Sequence, residues 1–453
     1  MSRSVLIINL EFPPIGGPGV QRVLKFTRYL PEEGWTPTVI CAEKSTWHNF
    51  RDNTLVEEVP ANVAVFRVSF STIADYTEPA SAMACNVLSP LHRFFPKEEI
   101  RKNVQLKLCN LFHYIHPEPL LSWVFLGTRK AMECHKKRHF DAVMTSGPPH
   151  ITHMVGLMLK ELYRVKWVAD FRDPWVDSLI QAGRLGISRR LDRLWERLVL
   201  KNADRVISVS PSWTKLLAQK LKHPAKTKVS VIYNGYDPND IPDDASEPTA
   251  RGHASRRLHI HYNGSIQGGM LPHFFFKALA ELKKDEPDIH RSLKCTFTGL
   301  PTSVANLADD FRLDQVVGDV GHVSHRESLR ISLSSDVLLL IVNQADETVR
   351  GLMTGKVYEY IAMGKTILAM IPQGGDLHAL LRDCPQCFIV KPNDVSGIIE
   401  KLKLLMSRKR NGELNAFKPP NWITQYTRQA QTRRLAEMLE DLRQDGARAT
   451  LPM

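Results

Sequence analysis

The segment that decides the fold runs from Asp336 to Ile371. It opens Asp336-Val-Leu-Leu-Leu-Ile-Val342 and continues Asn343-Gln-Ala-Asp-Glu-Thr-Val-Arg350-Gly-Leu-Met-Thr354-Gly355-Lys356-Val-Tyr358-Glu359-Tyr360-Ile-Ala-Met-Gly364-Lys365. It closes with Thr366-Ile-Leu-Ala-Met-Ile371. The two outer runs are continuously apolar and strand-length, which predicts strands buried on both faces, the pattern of a parallel sheet. Parallel strands need a crossover. The middle segment supplies a helix of about ten residues, with Thr354 suited to the N-cap and Gly364 to a left-handed stop. The helix then starts beyond the carboxyl end of a strand, where open α/β sheets take ligands. Its first-turn N–H groups and Lys356 would face an anion. Glu359, three residues on, shares that face. A carboxylate there can accept both hydroxyls of a ribose while the cation and the helix end hold a diphosphate. The same spacing suits a Lys–Glu surface pair on a core helix, and spacing alone does not choose.

The alternation extends in both directions. Upstream, short β-branched runs at 4–10, 36–42, 63–68, 141–146, 166–171, 205–210 and 229–234 alternate with amphipathic stretches. From Gly235 to Arg257 the chain reads Asn-Gly, Asp-Pro, Ile-Pro, Asp-Asp and Glu-Pro, turn chemistry with little to bury. A second series follows at 258–263, 294–298, 316–320, 336–342, 366–371 and 387–391, and Ile398, Ile399, Leu402, Leu405 and Met406 form one face of a later helix. The expected organisation is an α/β domain over 1–235, a linker over 236–257, a second α/β domain over 258–418, and a C-terminal helix and tail over 419–453. That helix is expected at Trp422–Leu442, after Pro419-Pro420.

The chain has 453 residues, 43% hydrophobic and 24% charged, which excludes wholesale disorder, collagen and coiled coil. Each domain is large enough to bury its own core. A net charge of +12 favours anionic partners: phosphorylated ligands, nucleic acid or an anionic membrane face. No recognised nucleic-acid module is visible, so nucleic acid is not expected. Seven scattered cysteines read as reduced thiols, and Cys384-Pro-Gln-Cys387 lacks the further ligands a zinc site needs. No run approaches the ~18 apolar residues of a membrane span. The N-terminal apolar run stops at Leu10, before Glu11 and a Pro/Gly turn, as a first strand does and a signal peptide does not. A cytoplasmic protein, at most peripheral to the inner face of the cell membrane, is expected. Residues 71–135 fit the alternation poorly. Their aromatics (Phe94, Phe95, Phe112, Tyr114, Trp123, Phe125) among basic residues suit either a membrane interface or a helical insertion with buried rings.

Further motifs stand at strand ends. Glu11-Phe-Pro-Pro-Ile-Gly16-Gly17-Pro18-Gly19-Val20-Gln21-Arg22 is a Gly-rich turn between a first strand and its helix, where backbone can approach a phosphate. A dinucleotide fingerprint is the rival, but Arg22 stands where its third glycine would be. Ser146-Gly-Pro-Pro-His150-Ile-Thr-His153 and Asp170-Phe-Arg172-Asp173-Pro-Trp175 close two later strands. The latter also suits a local ion-pair lattice. His261-Tyr262-Asn263-Gly264-Ser265-Ile266-Gln267-Gly268-Gly269 is a second Gly-rich turn, after the first strand of the second domain.

Taken in order, Phe12-Pro-Pro-x-Gly16-Gly17…Arg22, the two-histidine loop, Asp170–Trp175, Asn234-Gly235, Asn263-Gly264-Ser265 and Lys356-x-x-Glu359-Tyr360-x-x-x-Gly364 resemble the retaining nucleotide-sugar glycosyltransferases of family 4. The resemblance covers most of the chain and is weakest over 71–135 and after 410. It implies a GT-B fold, α/β with two facing Rossmann-like domains, parallel sheets and a central cleft, and a last helix crossing back to the first domain. It implies Glu359 on the ribose and Lys356 on the diphosphate. Gly16, Gly17, Gly264, Ser265, Arg350, Thr354 and Gly355 complete the donor-binding set. His153, His150, Asp170 and Arg172 are the catalytic candidates near the transferred sugar. No cofactor and no essential metal are implied. The partners are a nucleotide sugar and a carbohydrate, lipid-linked or small-molecule acceptor in polysaccharide biosynthesis, with an anionic membrane surface as a further contact.

Transfer of a hexosyl group with retention would pass through an oxocarbenium-like species, aimed cations stabilising the leaving diphosphate. No nucleophilic carboxylate is then required, unlike in retaining hydrolases. The alternatives are a nucleotide-sugar epimerase on the same fold and a non-catalytic nucleotide-sugar-binding protein. Two positions depart from the family pattern. Gly351 stands eight residues before Glu359, where many members carry a glutamate. No cation follows the first strand of the second domain before Lys277, where many carry an Arg and a Lys.

Overall fold

The computed structural model describes residues 3–43, 51–70, 120–177, 186–221, 228–242, 256–264, 266, 270–343, 349–414 and 417–449. The chain divides into two compact units. One comprises Met1–Val209, Thr214–Ile232 and Thr432–Met453; the other comprises Ser210–Trp213 and Tyr233–Gln431.

The first unit runs β1 (Arg3–Ile8), α1 (Pro18–Tyr29), β2 (Trp35–Ala42), β3 (Ala64–Val68), α2 (Leu121–Lys137), β4 (Ala142–Gly147), α3 (His153–Tyr163), β5 (Lys166–Phe171), α4 (Ile187–Asn202), β6 (Arg205–Ser208), α5 (Pro211–Gln219, from Thr214 on) and β7 (Val229–Val231). Its seven strands are parallel in the order β3-β2-β1-β4-β5-β6-β7. Strand alternation sorts its side chains onto two faces. Leu6, Ile8, Ile40, Val143 and Ala169 pack with Trp123, Val155 and Trp167. Val5, Ile7, Val39, Met144 and Val168 pack with Val20, Leu24 and Phe26 of α1. Both faces are therefore apolar, as the unbroken hydrophobic runs require. Residues 71–119, with most of the aromatic and basic stretch, lie outside the described residues. Of the remainder, Trp123 of α2 is buried and Phe125 is exposed.

The second unit runs β8 (Leu258–Tyr262), α6 (His273–Asp285), α7 (Pro287–Arg291), β9 (Leu293–Thr298), α8 (Thr302–Asp310), β10 (Val317–Gly321), α9 (His325–Ser334), β11 (Val337–Ile341), α10 (Gly355–Ala362), β12 (Thr366–Met370), α11 (Asp376–Leu381), β13 (Cys387–Val390) and α12 (Val395–Arg410). Its six strands are parallel in the order β10-β9-β8-β11-β12-β13. The order reverses between β8 and β11, the place where such sheets open a crevice for ligands. Between β11 and β12 the expected crossover helix is α10, eight residues long. It stops at Gly364, whose φ is +64°. A side chain there would also strike the Phe417 carbonyl, so glycine is required twice over.

The last helix, α13 (Arg428–Ala449), begins later than its sequence pattern suggests. Asn421–Tyr426 is a separate 3-10 turn, and Thr427 is extended between them. The Thr427 hydroxyl accepts the Ala430 N–H at 3.2 Å, which caps α13 and ends any continuity with Trp422. Leu435, Ala436, Leu439 and Leu442 of α13 belong to the same buried cluster as Val5 and Ile7, which makes the C-terminal segment part of the first unit. Among the described residues no helix is long and apolar enough to cross a membrane.

Leu439 is fully buried in that cluster. Leu439→Ala should lower the unfolding free energy by about 2–5 kcal/mol, read as an earlier guanidinium midpoint for the first unit. Replacement of the exposed Glu437 by Ala should change it by no more than ~0.5 kcal/mol.

Candidate functional site

At the carboxyl edge of the first sheet, β1 leads into Gly17, which caps α1 with φ +117°, a conformation that favours glycine. Gly16 lies buried beside it. A methyl group on Gly19 would lie 2.7 Å from Glu11 Oε2 and 2.9 Å from Arg172 Nη1, so the turn is closed down on both charges. One helical turn on, Arg22 forms a fully buried pair with Asp170 at the end of β5. Its Nε donates to Asp170 Oδ2 and its Nη2 to Oδ1, both at 3.0 Å. Ser146 Oγ of β4 donates to the same carboxylate at 2.8 Å. The sequence allowed a lattice confined to 170–173; instead Asp170 pairs with a residue 148 positions away. Arg172 turns to backbone carbonyls, donating to Gly147 O at 3.1 Å and to Gly19 O and Pro148 O. Three sequence motifs are thus stitched together by two guanidinium groups.

His150 and His153 lie just behind. A methyl on Gly147 would fall 2.8 Å from His150 Nδ1 and 3.0 Å from His153 Nε2, so the two rings converge on that glycine. His153 stacks on Phe171 at 4.5 Å, and His150 stacks on Phe171 and Trp175 at 5.4 and 5.5 Å. His153 Nδ1 meets Thr145 Oγ1 at 2.8 Å, and that hydroxyl also accepts the Trp167 indole N–H at 2.9 Å. Both rings are 2% exposed or less. Burial, with Arg172 nearby, pushes His153 down to about 3. Burial, then the neighbouring charge sites of His153 and Arg172, holds His150 well below its ordinary value. Rings of this kind are neutral near pH 7 and act through hydrogen bonds and shape, not as cations.

In the second unit, the β8 strand end and the α10 start come together. Gly264 has φ +96°, and a side chain there would lie 3.1 Å from Lys356 Cε and 3.4 Å from its Nζ. Lys356 Nζ stands 4.1 Å from the centroid of the Tyr262 ring. The ammonium is therefore held over the switch point by an aromatic face and an open glycine. The Tyr360 hydroxyl accepts the Asn263 N–H at 3.1 Å and ties α10 to the β8 turn. Beneath, buried His261 meets Thr296 Oγ1 at 2.8 Å and Thr298 Oγ1 at 3.2 Å.

Glu359, one turn deeper on α10, is 17% exposed and lies 3.7 Å from His325 Nε2, which also lies 3.6 Å from Asp240 Oδ2. Burial raises the Glu359 carboxyl; His325, Arg428 and Lys356 oppose that, and Asp240 adds to it. Thr354 occupies the N-cap position of α10 without a side-chain capping bond, and Gly355 is the first helical residue. Ser265 lies outside the described residues. Arg350 lines a cavity with Gln373, His378 and Lys391. Gly351 packs directly against the Trp213 indole, which fills the space a side chain would need. The glutamate usual at that position in the family pattern is sterically excluded.

The family model described as "Glycosyl transferase 4-like domain" matches residues 16–235. Over nearly its whole length the chain also has the fold of GT-B glycosyltransferases. The sucrose-phosphate synthase of Thermosynechococcus elongatus superposes with TM-score 0.60 at 14% identity, covering 99% of this chain and 98% of that one. Anabaena HepE, solved in complex with UDP and glucose, superposes with TM-score 0.57 at 15% identity, covering 99% of each chain. A putative UDP-N-acetylglucosamine 2-epimerase from Listeria monocytogenes superposes with TM-score 0.52 at 11% identity, covering 98% of each. No curated protein matches the sequence. The matched segment holds both arginine-linked motifs and both histidines.

Three residues of the second unit's cluster carry no sequence signal strong enough to single them out. His325 follows an ordinary turn, Asp240 sits in linker-like sequence, and Arg428 opens the last helix. Only the fold brings them to Glu359.

Two outcomes follow from this geometry. His153 binds no proton in the folded protein until pH approaches 3, whereas an unfolded histidine does so near 6.5. Its contribution to stability is therefore complete above 6.5 and is lost as pH falls below it. Urea unfolding of His153→Gln at pH 5 and pH 7 should show a smaller pH difference than the parent protein. Restoring the missing carboxylate with Gly351→Glu should instead cost about 1–3 kcal/mol or more through the clash with Trp213, seen as a lowered melting temperature.

Proposed function

We propose that the protein is a retaining glycosyltransferase whose donor, a nucleoside diphosphate sugar, binds the second unit at the start of α10. The observation that carries this reading is the placement of Lys356 beside Gly264, over the Tyr262 ring at the switch point. A cation, a Cβ-free strand end and a helix N-terminus there offer a diphosphate positive charge and N–H donors on one side. Glu359, with His325 against it, is the acceptor for a ribose diol. Departure of the diphosphate builds negative charge, which Lys356 and the helix end stabilise more in the transition state than in the ground state. The sugar becomes oxocarbenium-like. The acceptor hydroxyl then attacks from the face the diphosphate leaves, giving its proton to the departing phosphate oxygen and retaining the anomeric configuration.

The carboxyl edge of the first unit is, in this reading, the acceptor side. Its neutral histidines would orient hydroxyls by hydrogen bonding, and the Arg22–Asp170 pair would keep the loops in place. The acceptor is a carbohydrate or a lipid-linked saccharide. The net charge of +12 suits work beside an anionic membrane on the cytoplasmic side. Because Lys356 and the helix end supply the positive charge, turnover should persist in a chelator. Structures that bind UDP and glucose on this fold support a UDP-sugar as the first donor to try. The epimerase neighbour keeps a second activity in view.

The test is thermal stabilisation by a panel of nucleotide sugars. The best donor should raise the melting temperature of the parent protein. Lys356→Ala and Glu359→Ala should abolish that shift while changing the apo melting temperature by no more than a degree or two. Mutants that respond like the parent would refute the site. Release of a 2-epimer with no acceptor present would refute transfer as the activity.

A further inference from the structure

The turn Cys384-Pro385-Gln386-Cys387 connects α11 to β13 in the second unit. The Cys384 N–H donates to Leu381 O at 3.0 Å, and the Cys387 N–H donates back to Cys384 O at 3.0 Å. A four-residue turn closed in this way holds its end Cα atoms within about 7 Å, and Pro385 suits its second position. Disulfides span Cα separations of about 4.4–6.8 Å. The two thiols also meet. The Cys387 S–H donates to the Cys384 sulfur, a contact that lowers Cys384 and, with burial, raises Cys387. Cys384 is buried and Cys387 half-buried. The other described cysteines stand apart from one another: Cys41, Cys134 and Cys295 are buried in β2, α2 and β9, and burial raises each thiol. Between the paired cysteines, Gln386 is fully buried. Its backbone carbonyl accepts the Ile367 N–H of β12 at 2.9 Å, and its side-chain amide donates to Ile361 O in the last turn of α10 at 3.3 Å. The turn is therefore fastened to both sides of the joint that connects α10 to β12.

We propose that Cys384 and Cys387 form a reversible dithiol–disulfide pair, oxidised by low-molecular-weight disulfides such as glutathione disulfide, and that the bond braces the joint between α10 and β12. The route is thiol–disulfide exchange. Cys384, favoured as the thiolate by the hydrogen bond from Cys387, gives its proton to solvent first. Its thiolate then takes the Cys387 proton as the Cys387 sulfur, the more accessible of the two, attacks one sulfur of glutathione disulfide. The glutathione S–S bond breaks, one glutathione leaves as a thiolate that solvent protonates, and Cys387 carries the other half as a mixed disulfide. Cys384 loses its proton again and its sulfur attacks the Cys387 sulfur. The mixed disulfide breaks, and the second glutathione leaves and is protonated. Two protein thiols have lost two electrons and two protons, and one glutathione disulfide has become two glutathione thiols. The new bond closes the turn around Gln386, whose two hydrogen bonds carry the restraint to Ile361 and Ile367. No residue of the Lys356–Glu359 cluster takes part, so the inference stands apart from the donor reading.

The experiment incubates the full chain with glutathione disulfide or with dithiothreitol, then alkylates it with N-ethylmaleimide in denaturant for peptide mass spectrometry. After oxidation the peptide holding both cysteines should be unlabelled and lighter by two hydrogens. After dithiothreitol it should carry two labels. Cys384→Ser should accumulate glutathione on Cys387, an adduct the parent resolves, whereas Cys387→Ser should take up little on the buried Cys384. In the oxidised parent the Ile367 amide should exchange its hydrogen about threefold or more slowly than in the reduced parent. The pairing is overturned if both thiols are still labelled after oxidation, or if the parent keeps glutathione on either cysteine with no internal bond. An adduct on Cys384 in Cys387→Ser as full as that on Cys387 in Cys384→Ser would overturn Cys387 as the attacking thiol. Unchanged exchange at Ile367 in fully oxidised protein would overturn the brace. Nucleotide binding enters none of these readouts, so failure of the donor site leaves them intact.

Discussion

A parallel strand cannot be followed directly by its neighbour; the chain must first return along the whole sheet. Both units obey that constraint, seven strands in one and six in the other. Every strand therefore ends on the same edge of its sheet, and every strand-to-helix loop opens there. The interior of each sheet is committed to apolar packing on two faces. Charged and polar groups with no place in those layers collect at the carboxyl edges.

The edges show what such collection demands. In the first unit an arginine and an aspartate sit at zero exposure or nearly so, an arrangement that costs desolvation unless each charge is paired and hydrogen-bonded. Asp170 receives Arg22 and Ser146, which satisfies it. Arg172 spends its donors on the carbonyls of Gly19, Gly147 and Pro148. The result joins the loops after β1, β4 and β5 into one rigid rim. In the second unit the charges are left more open. Lys356 rests on Tyr262, and Glu359 keeps part of its carboxylate accessible beside His325. A rim that is internally satisfied positions things; a rim with accessible charge binds them. That contrast is what supports the proposal of a nucleotide site in the second unit.

Gly351 shows how one small residue records a local trade. The indole of Trp213 occupies the volume where the family pattern usually has a carboxylate. Trp213 comes with residues 210–213, a short stretch that belongs to the second unit although its neighbours on both sides belong to the first. Ser212 anchors it by binding Asp376 twice. Packing between an aromatic ring and a bare backbone stands where that carboxylate would be.

The sequence by itself determined parallel α/β architecture, because unbroken apolar runs separated by helical crossovers pack as parallel strands covered on both faces. It also determined α10, through the glycine that stops it and the lysine and glutamate one turn apart on it. Those are local properties, set by period, capping and backbone freedom within a dozen residues. What only the tertiary structure decided are the partnerships: Arg22 with Asp170, Lys356 with Tyr262 and Gly264, Glu359 with His325 and Asp240, Arg350 with Lys391 and His378 around one cavity, and Trp213 against Gly351. Each joins residues distant in the chain, and no pattern of spacing along a sequence encodes which loops a fold will bring to the same edge.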